Sequence, residues 1–127
     1  MFEQDYIMRL IKDMVRAILK LLFGIDTPQP TAELLEVKED RAVLESLMDL
    51  VDAGKICEAE NRIYELTDSE KKTDLEIALL FYSYLNDKDN AFLEEHDFRR
   101  EEVKTGLQDI LEKYGIMGLT DAFVDIF

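Results

Sequence analysis

The fold is decided first by residues 2–24, which read FEQDYIMRLIKDMVRAILKLLFG. Apolar side chains recur there three and four positions apart, and they cover an arc of about 160°, or about 200° when Met8 and Leu19 are included. This spacing predicts one long amphipathic helix that Gly24 ends. Opposite the apolar arc lies a narrow basic stripe, which consists of Arg9, Lys12, Arg16 and Lys20.

This first helix is basic, whereas the rest of the chain is acidic. Residues 1–23 hold four basic and three acidic side chains, and residues 24–127 hold 11 basic and 26 acidic ones. The net charge of −14 argues against nucleic acid as a partner, because phosphate binding needs a basic surface that releases counterions. The apolar face of the helix is expected to bury itself on the acidic body, on a second copy or on a membrane.

The other apolar residues also recur with helical spacing, which predicts an all-α, single-domain helical bundle of about six helices. The basic helix covers residues 1–24, a stiff linker with Pro28 and Pro30 covers 25–31, and the acidic helical body covers 32–127. Residues 74–85 are apolar on nearly every side, so their helix is predicted to be the middle of the core. Further helices are predicted over residues 40–52, 56–66, 99–114 and from about 120, with a short turn over 91–95.

Several helix ends and side-chain positions follow from the same pattern. Asp40 and Asp97 are expected to be N-caps, because a carboxylate at that position accepts backbone N–H groups. Val43 is expected on the inner face of its helix, and Cys57 is expected to be a small core residue in a reducing compartment. The C-terminal helix is predicted to dock through five apolar residues, Leu119, Ala122, Phe123, Ile126 and Phe127.

No signature of catalysis or cofactor binding occurs in the chain. The sequence has no GxGxxG, no Walker glycine-lysine loop, no CxxC, no HExxH and no GxSxG, so we expect neither an enzyme nor a bound cofactor or metal. Asp87 and Asp89 resemble the start of a calcium loop, but Phe92 stands where that loop needs glycine. His96, the single histidine, is interpreted as part of a solvated helix end.

A second charged segment is FRREEVKTGL, residues 98–107. Arg99 and Arg100 precede Glu101 and Glu102, which is typical of a helix start with local charge pairs worth a few tenths of a kcal/mol each. Arg99 and Arg100 are therefore predicted to take part in local charge pairs at a capped helix start, and the alternative is an anion site there.

The stretch LMDLVDAGKICEAENRIYEL, residues 47–66, resembles a tetratricopeptide helical hairpin. Gly54 would turn the chain, and Ala59, five residues later, would let the two helices approach closely. Nearly the whole chain resembles a bacterial, Firmicute-type family known only as a domain of unknown function, through residues 2–24, GKICEAEN at 54–61 and residues 98–107. That resemblance implies a bacterial, cytoplasmic protein and implies no activity.

The expected function is therefore a non-enzymatic protein–protein interaction or self-association module. Its partner would be another protein, or a second copy bound through the first helix, and the alternative is a peripheral membrane protein that lays this helix on a bilayer. The acidic body would be repelled by anionic lipid. Acidic residues precede the apolar run and basic ones interrupt it, so no secretory signal is predicted. The candidate interaction surface consists of Arg9, Lys12, Arg16, Lys20, Leu19 and Phe23.

Overall fold

Helices form wherever apolar residues recur three and four positions apart. The computed structural model of the protein describes the backbone of residues 2–116 and the side chains of residues 4–116. Within those residues there are six α-helices and no strand, which confirms the predicted all-α bundle. In chain order they are α1 (Phe2–Phe23), α2 (Lys38–Asp52), α3 (Ile56–Thr67), α4 (Lys72–Asn86), α5 (Asn90–Glu95) and α6 (Arg100–Lys113).

Helix α4 is the centre of the core, as its sequence predicts. Its buried side chains point in every direction around the helix axis, because α1, α2, α3 and α6 all pack against it. Each leucine, isoleucine or phenylalanine buried in this way contributes about 1.5–3 kcal/mol of hydrophobic stabilisation. The buried residues of α4 are Leu75, Ile77, Ala78, Leu79, Leu80, Phe81, Tyr82, Leu85 and Asn86.

Helix α1 packs its apolar face onto its own chain, against α4 and α6. The side-chain amide of Asn86 in α4 also donates a 2.9 Å hydrogen bond to the carbonyl of Met8, which fixes α1 lengthwise on the core. No helix within residues 2–116 is both long enough and apolar enough to span a bilayer. The buried residues of α1 are Leu10, Ile11, Met14, Val15, Ile18 and Leu19.

Helices α2 and α3 form the predicted hairpin, and the chain turns at Gly54. This glycine has φ +82°, in the left-handed region, and the next residue, Lys55, donates its N–H to the carbonyl of Leu50 at 2.8 Å. That hydrogen bond closes the C-terminus of α2 in the manner of a Schellman motif. Ala59 is fully buried where α3 meets the core.

Both predicted aspartate caps are wrong. Helix α2 already begins at Lys38, so Asp40 lies inside its first turn, where its charge favours the helix dipole without capping. Asp97 has φ +54° and belongs to the turn that leads into buried Phe98. The N-cap of α6 is instead Arg99, whose backbone N–H donates to the Glu102 carboxylate at 3.0 Å.

Two side chains predicted to face the core instead face solvent. The inner face of α2 is centred on Leu44, Leu47 and Val51, and Val43 lies on its flank with 38% of its surface exposed. Cys57 is exposed, because α3 buries the opposite side of its turn through Ile56 and Ala59. The predicted C-terminal helix from about residue 120 lies outside the described residues.

Candidate interaction surfaces

The basic stripe is on the outer side of α1, where Arg9, Lys12, Arg16 and Lys20 are all exposed. Arg16 and Lys20 face Asp26 of the following linker, with N···O distances of 3.2 and 3.8 Å. Among the described side chains, Arg9 and Lys12 form no ion pair. Arg9 and Lys12 are therefore not engaged in ion pairs within the described chain, and Asp5 and Asp13 lie one turn before and one turn after Arg9 on the same helix.

The two apolar members of the predicted surface have different positions. Leu19 is only 1% exposed and belongs to the core, so its assignment to an interaction surface is wrong. It is buried because the body covers the edge of the apolar arc on which Leu19 lies. Phe23 is half-buried at the end of α1, and the Lys72 ammonium lies 5.2 Å from the centre of its ring.

Two large side chains of α1, Leu21 and Tyr6, are exposed, and the sequence pattern predicted neither of them as a surface residue. Leu21 is 64% exposed and Tyr6 is 52% exposed. Leu21 follows buried Met14 by two turns on the same apolar arc, so helical periodicity assigns both to the core. Only the packing of the other helices, which does not reach that side of the last turn, distinguishes them.

A groove of about 510 Å³ opens where the end of α1, the following linker and the starts of α2 and α4 meet. Its apolar part consists of Phe23, Ile25, Leu34, Leu35 and Val37. Four carboxylates line it as well, Glu33, Glu36, Asp40 and Glu76. We refer to this feature as the acidic groove. Sequence reasoning missed it, and its one signal was the density of acidic residues in ELLEVKED, residues 33–40.

One carboxylate of the acidic groove, Glu76, has a raised proton affinity. Burial raises the pKa of Glu76, and the nearby carboxylates of Asp40 and Glu36 raise it further, while Lys72 acts in the opposite direction. Burial and nearby like charge both disfavour the ionised form of a carboxyl group. The groove therefore combines apolar surface with clustered negative charge, an arrangement that favours a ligand bearing both apolar and cationic groups.

A second polar cluster is closed rather than open, and it lies between α3, α4 and α6. The Tyr82 hydroxyl donates to the Glu60 carboxylate at 2.7 Å, and Tyr64 donates to Asp109 of α6 at 3.1 Å. Gly106 of α6 lies directly against the Glu60–Tyr82 pair, where a Cβ atom would overlap both side chains. Because α6 covers the pair, the cluster joins helices and offers no open site.

Burial raises the pKa of Glu60, and Glu102 and Asp109 add to this effect, while the hydrogen bond from Tyr82 opposes it. The folded state therefore holds the Glu60 proton more tightly than the unfolded chain does. This contribution to stability is full at acidic pH and is lost as the pH rises from the ordinary glutamate value, about 4.3, through the raised folded value.

We therefore expect the unfolding free energy of the Glu60→Gln variant to decrease less between pH 4.5 and 7 than that of the unmodified protein. Glutamine keeps an acceptor for Tyr82 and cannot ionise. Urea denaturation at several pH values would measure this slope. Glu65→Gln, which alters an exposed carboxylate of the same helix, serves as the control. A slope changed equally by both substitutions would contradict a specific role for Glu60.

The single histidine packs against the α2–α3 turn instead of being a solvated helix end. Its Nδ1 lies 2.8 Å from the carbonyl oxygen of Phe92, and its ring lies 4.5 Å from the Phe92 ring. On its other side it covers Gly54, where a Cβ atom would overlap the imidazole. Asp89, which begins the apparent calcium loop, instead caps α5 by accepting the N–H of Phe92 at 2.8 Å.

The two adjacent arginines have opposite environments. Arg99 is exposed and lies 3.7 Å from Glu101, in agreement with a local charge pair. Arg100 is only 2% exposed and forms no ion pair with a described carboxylate, so the prediction of a local charge pair is wrong for it. Its guanidinium donates to the carbonyls of Asn86 and Lys88 at 2.6 and 2.9 Å, and to the Asn90 side chain at 2.7 Å. These acceptors lie at the end of α4, in the following turn and at the start of α5, so Arg100 of α6 holds this corner together.

Of the comparisons with known proteins, only the comparison with protein families finds a match. No curated protein and no solved structure matches the chain at a significant level. A family match covers residues 1–115, which is nearly all of the described chain and includes α1, the acidic groove and the hairpin. The chain therefore belongs to DUF6483, a family of unknown function.

Proposed function

We propose that this protein is a non-enzymatic protein-interaction module, and that its acidic groove binds a segment of a protein partner that carries both basic and apolar side chains. The observation that carries the proposal is the groove itself. Four carboxylates surround exposed and half-buried apolar side chains, among them Val37, which is 48% exposed. A basic, apolar segment would bury this surface and compensate the charge at the same time.

The charge distribution of the whole chain supports a basic partner. An acidic body of this kind attracts cations over several ångströms, and the apolar part of the groove then provides short-range contact. A partner held in this way dissociates more readily as the salt concentration rises, because the Debye length falls to about 8 Å at physiological ionic strength.

The packing of α1 supports a protein partner over a membrane. A helix that lies on a bilayer must insert its apolar face into the lipid. In this fold that face is buried against α4 and α6, so insertion would require α1 to leave the core. The exposed Tyr6 and Leu21 are too few to replace it. Association with vesicles that survives high salt would favour the membrane alternative.

The finer features of the resemblance belong to the same proposal. We infer that the α2–α3 hairpin is tetratricopeptide-like, which is supported by the left-handed Gly54 at its turn and by the buried Ala59 at its contact with the core. We also infer a bacterial, cytoplasmic protein. The exposed free thiol of Cys57 supports a reducing compartment, because such a thiol oxidises readily elsewhere.

The proposal is tested with a fluorescent helical peptide of alternating lysine and leucine blocks, and with a matched peptide in which glutamate replaces lysine. We expect the basic peptide to bind and the acidic one not to bind. The double variant Glu36→Gln/Glu76→Gln should weaken binding about tenfold, since each lost charge contact is worth roughly 0.5–1 kcal/mol. Fluorescence anisotropy at low and high salt would measure the affinity.

The matched control is Glu45→Gln/Glu112→Gln, which removes two exposed carboxylates of α2 and α6 outside the groove. Both double variants change the net charge equally, so a difference between them reports the location of the charge. If the two variants weaken binding to the same extent, the peptide is attracted by total charge alone, and the acidic groove is not the binding site.

A further inference from the structure

The basic stripe and the acidic groove are complementary surfaces of one chain. The stripe presents Arg9 and Lys12, which form no ion pair with any described carboxylate. Exposed Tyr6 lies beside the first half of the stripe and adds apolar surface there. This combination of cationic and apolar groups on one rigid helix is the chemistry that the acidic groove accommodates.

Within one copy these two surfaces do not meet. Arg9 is 14 residues before Phe23, which lines the groove, and at 1.5 Å per residue the intervening helix separates them by about 20 Å. The helix is held straight on the core by its buried face, so it does not fold back on itself. The second half of the stripe is also occupied locally, since Arg16 and Lys20 face Asp26. Pairing of the free half of the stripe with the groove therefore requires another molecule.

We propose that the acidic groove of one copy binds the first half of the basic stripe of a second copy, so that the protein forms a reciprocal dimer. This inference rests on the proposed function, because it names the partner of the same groove. A two-fold axis makes the contact twice, with each copy contributing its stripe to one contact and its groove to the other. Such a dimer also covers Tyr6 and Val37, two of the most exposed large apolar side chains among the described residues.

Charge reversal with complementation tests the pairing. One variant, Arg9→Glu/Lys12→Glu, reverses the stripe, and another, Glu33→Lys/Glu36→Lys, reverses exposed positions of the groove. We expect the unmodified protein to be a dimer at low salt and each variant alone to dimerise at least about tenfold more weakly, because every contact then opposes like charges. An equimolar mixture should regain the dimer, since both of its contacts again join opposite charges. Sedimentation velocity would measure the masses, and circular dichroism would verify that each variant is folded.

The control for the mixture is Glu45→Lys/Glu112→Lys, which has the same net charge as the groove variant but leaves the groove intact. Alone, it should dimerise as the unmodified protein does, because its stripe and groove are both intact. Mixed with a fluorescently labelled stripe variant, it should not draw the labelled protein into a dimer, whereas the groove variant should. Dimerisation of the labelled stripe variant with this control, or a dimer insensitive to both reversals, would overturn the proposed pairing. A protein that stays monomeric at low salt while the basic peptide still binds its groove would overturn the dimer alone and leave the proposed function standing. Failure of both assays would reject the groove as a binding site.

Discussion

Replacing Arg100 by leucine is expected to lower the free energy of unfolding by about 3–5 kcal/mol. The guanidinium is 2% exposed and donates to three acceptors at the end of α4 and in the following turn. Leucine fills much of the same space but leaves those acceptors buried without a donor. Each such loss costs about 1–3 kcal/mol.

The effect should extend beyond the turn, because Arg100 belongs to a chain of contacts across three helices. It binds the carbonyl of Asn86, whose side chain in turn binds the carbonyl of Met8 in α1. Burial lowers the pKa of Arg100, and the carboxylates of Asp5, Asp87 and Asp89 oppose that shift, so the buried charge is held without a direct ion pair. Losing this residue therefore loosens α1 and α6 from α4 together.

The neighbouring arginine is the matched control for this prediction. Arg99→Leu removes the same side chain from an exposed position, and it should change stability by less than about 0.5 kcal/mol. Urea denaturation followed by circular dichroism would compare the two, and the melting temperature of the Arg100 variant should fall by roughly 10 °C or more. Equal stabilities for the two variants would show that Arg100 is solvated in solution.

Gly54→Ala is expected to cost about 2–3 kcal/mol, for two reasons that add. The left-handed conformation, with φ +82°, disfavours any side chain by about 1 kcal/mol. In addition, the new methyl group overlaps the imidazole of His96, which must move away from Gly54 and thereby disturb its contact with the Phe92 carbonyl. Intrinsic helix propensity would favour alanine. A loss of stability would therefore come from the left-handed turn and from its contact with His96.

Two further variants separate the two contributions. Gly24→Ala places a side chain at a similar left-handed position, φ +67°, with no atom within 4 Å of the new Cβ, so it should cost only about 1 kcal/mol. Gly54→Ala/His96→Ala removes the overlapping ring, and this double variant should be no less stable than Gly54→Ala alone. If Gly54→Ala and Gly24→Ala have equal effects in urea denaturation, the His96 contact is not part of the folded state.

The sequence was sufficient for the helices and for most of their inward faces. Periodicity located α1 and its end at Gly24, the turn at Gly54 and the central position of α4, because these features depend on the local spacing of apolar residues. It failed for the two predicted N-caps, Asp40 and Asp97, and for Cys57 and Val43. Cys57 and Val43 lie at the edges of the buried faces of their helices. Whether such an edge residue is covered depends on how close the neighbouring helix lies.

The candidate site could be predicted only in part. The basic stripe was visible, because its four residues share one side of a single helix. Leu19 was assigned to the same surface although the body covers it, and the acidic groove was missed altogether. Its carboxylates come from the linker region, α2 and α4, which are separated in sequence and meet only in the folded chain.

By itself, the sequence determined the secondary structure, the amphipathic character of α1 and the opposite charges of the first helix and the body. These are properties of neighbouring residues, set by backbone geometry and side-chain chemistry over a few turns. The tertiary structure alone decided that α1 is buried on its own core, that Arg100 is internal while Arg99 is not, and that dispersed carboxylates form one groove. Burial and pairing depend on which distant segments pack together, and close packing fixes that choice only for the whole chain.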